Sequence, residues 1–184
     1  MSIQNKAEII AALNDKIGAF NHFISSLDKK EFEAMPEGKW SAGQNLDHLI
    51  RAIRPLQLAF WLPKLFLKLF FGRSTRPSKS YEQVVEKYKS KLAQGGKASG
   101  PFIPPVVLFE KKLSLLETYD SQKKRFIKKV QKQQESELDR YILPHPLLGK
   151  VTLREMLFFT IYHNQHHLES LEQRQQATPT HRSS

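Results

Sequence analysis

The sequence predicts an all-α protein, a four-helix bundle with one additional short helix. Four long segments carry apolar residues at steps of three and four positions, the period that places them on one face of an α-helix. No segment shows sustained alternation of apolar and polar residues, so a sheet is not expected. Helices that each have one apolar face bury those faces against one another, and loops of mixed length between them are typical of a bundle.

The first predicted helix spans about 5–27, where apolar side chains recur at helical spacing from Ile9 to Leu27. The second begins after Ser41, which is a good N-cap and forms a capping box with Gln44. Pro55 or Pro63 is expected to kink or end this helix. A loop is predicted at 71–80.

The additional short helix is predicted at about 81–94, opened by a capping box of Ser80 and Gln83. A Gly- and Pro-rich loop at 95–105 precedes the third long helix, at about 107–133. Residues 141–150 read as a rigid apolar connection. The last helix starts at a box of Thr152 and Glu155 and runs to about residue 174. We therefore expect one bundle domain at 1–174 and a flexible tail at 175–184.

Composition and charge narrow the possible functions. The chain has 184 residues, 40% of them apolar, which is enough for one domain with a substantial core. Its net charge of +11 is concentrated in residues 64–132, with 17 basic residues against 5 acidic ones. Such a block can attract nucleic acid, an anionic membrane or an acidic small molecule, although most charge runs are only a solvated face.

Other compositional features exclude several kinds of site and segment. The chain has no cysteine, which excludes disulfides, thiolate metal ligands and a cysteine nucleophile. Neither a secretory signal pattern nor an uninterrupted bilayer-spanning segment is present. A cytoplasmic protein is expected.

Three histidines are the strongest chemical signal. His163 and His167 are four residues apart, so they share one face of the last helix, whereas His166 lies about 100° round from them. His48, in an otherwise apolar stretch of the second helix, is the candidate third ligand. Three neutral imidazoles can hold a divalent ion and leave positions open for water or substrate, although a helical histidine pair alone is more often solvated or hydrogen-bonded. Asn164 occupies the position of the glutamate in H-E-x-x-H, which disfavours a metalloprotease.

Two stretches of the sequence resemble the DinB-like superfamily. "KWSAGQNLDHLI" is similar to the signature at the start of that family's second helix, and "HPLLGKVTLREMLFFTIYHNQHHLESL" is similar to its closing H-P-x-x-G and H-x-x-H-H signature. The resemblance implies a four-helix bundle of the DinB/YfiT type. It also implies a divalent metal ion, most often nickel or zinc, bound by His48, His163 and His167.

The resemblance implies a range of activities rather than one. The superfamily includes S-transferases that use a low-molecular-weight thiol such as bacillithiol or mycothiol. We therefore expect a metal-dependent thiol S-transferase or hydrolase with a small-molecule substrate, and the alternative is a non-catalytic protein that binds a metal or small ligand. Nucleic-acid binding through residues 64–132 is disfavoured, because the lysines are not interleaved with aromatic residues and no DNA-reading motif occurs. No residue stands out as a general base.

The segment at 60–77 contains more bulky apolar residues than one helix face needs. Extra core packing or a homodimer interface is favoured there, and a basic amphipathic membrane contact is disfavoured. A homodimer is therefore expected. His145, between two prolines, is expected to be held in its loop by backbone hydrogen bonds.

Overall fold

A computed structural model describes residues 3–36 and 38–177. Within them the chain forms eight α-helices, Lys6–Ser26 (α1), Lys29–Glu33 (α2), Ala42–Trp61 (α3), Lys64–Phe71 (α4), Tyr81–Ala93 (α5), Lys112–Gln131 (α6), Glu135–Arg140 (α7) and Leu153–Ala177 (α8). Two 3-10 turns lie at Gly100–Phe102 and Phe109–Lys111, and two short strands at Ile142–His145 (β1) and Gly149–Thr152 (β2).

The four long helices α1, α3, α6 and α8 form the predicted bundle. Helix α1 packs against α6 and α8, α3 packs against α6 and α8, and the additional helix α5 covers α8. Because α8 has neighbours on several sides, every residue from Leu153 to Asn164 is buried, which is the pattern of a central helix rather than a surface one. The all-α bundle prediction is confirmed, with α2, α4 and α7 as further short helices.

The three helix starts predicted from capping boxes are confirmed by their hydrogen bonds, whereas the third long helix, predicted from about 107, begins as α6 at Lys112 after a 3-10 turn. Ser41 Oγ accepts the Gln44 N–H at 3.1 Å, and the corresponding boxes open α5 and α8. Helix α3 passes through Pro55 and ends at Trp61, because Pro63 holds the preceding residue Leu62 in an extended conformation. This end determines where the chain turns into α4.

The connection at 141–150 takes part in a small two-stranded sheet, which the sequence did not predict. Strands β1 and β2 pair antiparallel, with His145 opposite Gly149. Four-residue strands are too short to show alternation in the sequence, and Gly149 adopts φ +73°, which permits the tight turn. Helix α8 continues to Ala177, beyond the predicted start of the tail, and residues 178–184 lie outside the described part of the chain.

The segment at 60–77 is divided by Pro63 and only partly buried. Phe60 and Leu67 are in the core, but most of the other bulky side chains of α4 and of the end of α3 are exposed. Extra core packing is therefore the wrong interpretation for most of this segment. Among the described residues, no helix is both long and apolar enough to span a bilayer.

Candidate metal centre

The three predicted histidines come together between α3 and α8. The Nε2 atom of His163 lies 3.1 Å from Nε2 of His48 and 3.0 Å from Nε2 of His167. One ligand atom from each of the three lies within 4.8 Å of the others. His48 and His163 are each only 5% exposed. Residues separated by 115 positions in the sequence thus form one compact cluster.

Hydrogen bonds orient two of the three rings. His48 Nδ1 lies 2.7 Å from the Phe102 carbonyl oxygen, and a carbonyl can only accept, so Nδ1 carries the proton. His167 Nδ1 lies 2.6 Å from Asn45 Oδ1. The Asn45 amide group donates to the Ser41 carbonyl at 2.8 Å, which fixes its oxygen toward His167. In their neutral forms, both rings therefore direct an unprotonated Nε2 toward His163.

The protonation states favour a cation at the centre of the cluster. Burial lowers the pKa of His48, and burial together with the neighbouring imidazoles lowers the pKa of His163 and His167 well below the ordinary value. The rings are thus neutral near pH 7. The Nε2 lone pairs of His48 and His167 both face His163 Nε2, and one proton on that atom cannot serve both.

The spacing of the ring nitrogens also suits a metal ion. Two nitrogens bound at about 2.1 Å to one ion are about 3.0–3.4 Å apart for bond angles between about 90° and 109°. The two Nε2 separations from His163, 3.0 and 3.1 Å, lie at the lower end of that range. The residues present therefore fit a divalent ion.

An apolar cavity of about 330 Å³ adjoins the histidines. His48 and His163 form part of its wall, and the remaining polar lining is sparse: Tyr88, Lys97, Ser99, His145 and Thr160. The rest is aliphatic and aromatic and comes from α3, α4, α5, α8, the loop at 95–105 and the hairpin. A cavity of this kind suits a small, largely apolar molecule held next to the histidine cluster.

Comparison with known protein families identifies the superfamily of the chain. The model of the DinB superfamily matches residues 12–171. The chain belongs to the DinB superfamily. No curated protein shows a significant sequence match to this DinB-superfamily chain.

Two solved structures share the fold. YfiT from Bacillus subtilis, described as a probable metal-dependent hydrolase with an unusual four-helix bundle topology, is 18% identical, with a TM-score of 0.60 over 93% of this chain and 87% of its own. The colibactin self-resistance protein ClbS, solved in complex with double-stranded DNA, is 16% identical, with a TM-score of 0.52 over 95% of this chain and 98% of its own. At these identities the likeness shows the fold.

Asn164 and His166, which lie between His163 and His167 on α8, are outside the cluster. Asn164 accepts the Tyr119 hydroxyl at 2.5 Å inside the core, so its side chain faces away from the histidines. His166 is partly buried beside Tyr88 and Tyr162, with ring centroids 6.2 and 6.0 Å away. Neither residue is in the three-histidine group.

His145 is held in the cavity wall in one protonation state. Its Nδ1 accepts backbone N–H groups from Leu147 and Leu148, each at 3.1 Å, so backbone hydrogen bonds hold the ring as predicted. Burial, with a contribution from the nearby Lys87 cation, lowers the pKa of His145 to about 4. The neutral ring therefore carries its proton on Nε2, which is free to donate. The ring centroids of His145 and Phe159 are 4.2 Å apart, and the Phe159 ring stacks on His163.

Three contributions to this site were not predicted from the sequence. Asn45 precedes His48 by three residues and shares its helix face, so spacing alone offered a signal. The Phe102 carbonyl gave none, because its loop is placed by tertiary packing. His145 was predicted as a loop residue, and only the hairpin shows that its ring lines the cavity.

Proposed function

We propose that the chain is a divalent-metal-dependent hydrolase of a small, apolar substrate, with His48, His163 and His167 as ligands of nickel or zinc. The observation that carries the proposal is the convergence of three neutral imidazoles next to an apolar cavity, whose wall includes His48 and His163. The description of YfiT as a probable metal-dependent hydrolase supports the same reaction class.

Each part of the site has a chemical task in this reaction. A bound divalent ion would act as a Lewis acid that makes water nucleophilic near neutral pH. The apolar lining would hold the substrate and exclude bulk water. His145, fixed as an Nε2–H donor, would donate a hydrogen bond to an oxygen of the substrate, such as an ester or amide carbonyl.

Thiol transfer is the second candidate, with bacillithiol or a similar small thiol in place of water. Lys97 is the feature that favours it, because this cation lies in the lining of an otherwise apolar cavity. An ammonium group there could pair with the carboxylate of such a thiol. Hydrolysis uses water as the nucleophile and so needs no separate subsite for a thiol. For that reason we rank hydrolysis above thiol transfer.

A substrate panel tests the proposal. Zinc- or nickel-loaded protein is assayed with p-nitrophenyl esters of increasing acyl length, with and without added thiol. We expect ester hydrolysis that rises with acyl length and falls at least about a hundredfold in His48→Ala. His22→Ala, an exposed histidine on α1, is the matched control and should retain activity.

The outcomes separate the candidate functions. Turnover that requires added thiol would support S-transfer instead of hydrolysis. Tight binding of metal and ester-like ligands without turnover would overturn the enzymatic proposal and support the non-catalytic alternative.

Duplex DNA is a further candidate ligand, which the sequence disfavoured. The complex of ClbS with double-stranded DNA leaves that expectation without support. The residues that would contact phosphates are exposed cations on α6 and directly after its end: Lys124, Arg125, Lys128 and Lys132. A mobility-shift titration at low and moderate salt tests this binding, and no shift at low salt would remove it.

A further inference from the structure

An exposed apolar surface lies at the end of α3 and along α4. We call it the α3–α4 face, and its large side chains are 48–72% exposed: Leu58, Trp61, Leu65, Phe66, Leu69 and Phe70. The rings of Phe66 and Phe70 stack on each other, with centroids 6.1 Å apart. An apolar cluster of this kind usually marks a contact surface, because leaving it in water is unfavourable.

Positive charge surrounds the α3–α4 face. Residues 48–81 contain seven Lys and Arg and no Asp or Glu, and three of these cations, Arg51, Lys64 and Arg76, are ion-paired with carboxylates outside that range. Arg54, Lys68 and Arg73 are exposed there, and α6 adds Lys129, whose ammonium lies 5.9 Å from the Trp61 ring centroid. Apolar side chains bordered by cations form the pattern of a surface that rests on an anionic membrane.

We propose that the α3–α4 face docks on the surface of an anionic lipid bilayer. The leucine and aromatic side chains enter the boundary between headgroups and acyl chains, and the surrounding cations lie among anionic headgroups. The contact is peripheral and needs no membrane-spanning helix.

The charges favour lipid over the homodimer that the sequence suggested. In a two-fold dimer the face meets itself, so the basic border that includes Arg54, Lys68 and Arg73 would meet the same basic border of the second copy. The carboxylate of Glu137 lies 4.0 Å from Lys64 Nζ and pairs with that cation rather than with the three exposed ones. Duplex DNA would match the cations but not six exposed apolar side chains.

The face also adjoins the cavity. Leu58 belongs to both, and Pro55, Leu62 and Phe71, from the same ends of α3 and α4, line the cavity wall. This extension rests on the proposed function: a substrate that partitions into lipid could enter the cavity from the docked face. An apolar cavity next to a lipid-binding surface is the arrangement such a substrate requires.

Vesicle co-sedimentation tests the docking. Full-length protein is mixed with vesicles of phosphatidylcholine alone or of phosphatidylcholine with phosphatidylglycerol. We expect binding to the anionic vesicles only, weakened by salt, and at least about tenfold weaker in Leu69→Asp. Leu113→Asp is the matched control, because Leu113 is 73% exposed against 70% for Leu69 and lies about 24 Å along α6 from Lys129.

Every outcome decides the proposal. No sedimentation with anionic vesicles, or equal sedimentation of Leu69→Asp and wild-type protein, overturns it. A stable dimer in sedimentation velocity that Leu69→Asp dissociates would assign the face to a second copy instead. His48→Ala, which lacks the proposed activity, should bind vesicles as the wild-type protein does, so that the two proposals fail independently.

Discussion

Replacing Asn45 by alanine should weaken metal binding without touching a ligand. The Asn45 side-chain oxygen accepts the Nδ1–H of His167 at 2.6 Å, and its amide group is fixed by the Ser41 carbonyl at 2.8 Å. Without this acceptor the His167 ring loses both its orientation and part of its basicity. Loss of such a partner typically weakens metal affinity by about 10- to 100-fold, equivalent to about 1.4–2.7 kcal/mol.

The assay is competition for Zn²⁺ against a chromophoric chelator at pH 7, with circular dichroism to confirm folding. Asn45→Asp, which keeps an acceptor for the Nδ1–H of His167, should bind Zn²⁺ more tightly than Asn45→Ala. Asn14→Ala is the control, because the Asn14 amide bonds only within the exposed side of α1, to Ile10. A dissociation constant for Asn45→Ala within twofold of the wild-type value would refute the reasoning.

Three further predictions concern stability. Arg76→Ala leaves the fully buried Glu155 carboxylate without its cation, which should lower the free energy of unfolding by about 3 kcal/mol in urea titrations at pH 7; an unchanged midpoint would contradict this. The pKa of His145 is about 4 in the folded chain and near 6.5 when unfolded, so the neutral ring contributes stability above pH 6.5 that is lost as the pH falls toward 4. Unfolding free energy should thus drop by about 2 kcal/mol more between pH 7 and pH 5 in wild-type protein than in His145→Asn. Lys112→Met removes a buried ammonium that donates to carbonyls at the end of α1, and should cost about 1–3 kcal/mol, seen as a lower Tm that exposed Lys111→Met does not show.

The helical bundle could be predicted because its signals are local. Apolar spacing identified the long helices, and the serine and threonine capping boxes located the starts of α3, α5 and α8. The hairpin at β1 and β2 could not be predicted, since strands of four residues carry no period and their pairing is decided by packing against α4 and α8.

The three clustered histidines could be predicted from the sequence for a related reason. His163 and His167 share a face by helix geometry, and His48 sits on a helix whose neighbours are apolar. The hydrogen-bond acceptors that orient these rings were harder to predict. The Phe102 carbonyl, for example, comes from a loop whose position is set by tertiary contacts.

The segment at 60–77 shows that composition alone does not predict which apolar side chains are buried. Its apolar content was visible, but exposure depends on the rotation of α4 after Pro63. That rotation buries Leu67 and turns Leu65, Phe66, Leu69 and Phe70 outward.

Calorimetric titration of metal-stripped protein with Zn²⁺ and Ni²⁺ tests the central claim most directly. Wild-type protein and His166→Ala should each bind about one ion per chain, since His166 lies outside the three-histidine group. His163→Ala should lose at least about a thousandfold in affinity, because its Nε2 faces both other ligands. Unchanged binding in His163→Ala, or no binding in the wild-type protein, would contradict the account.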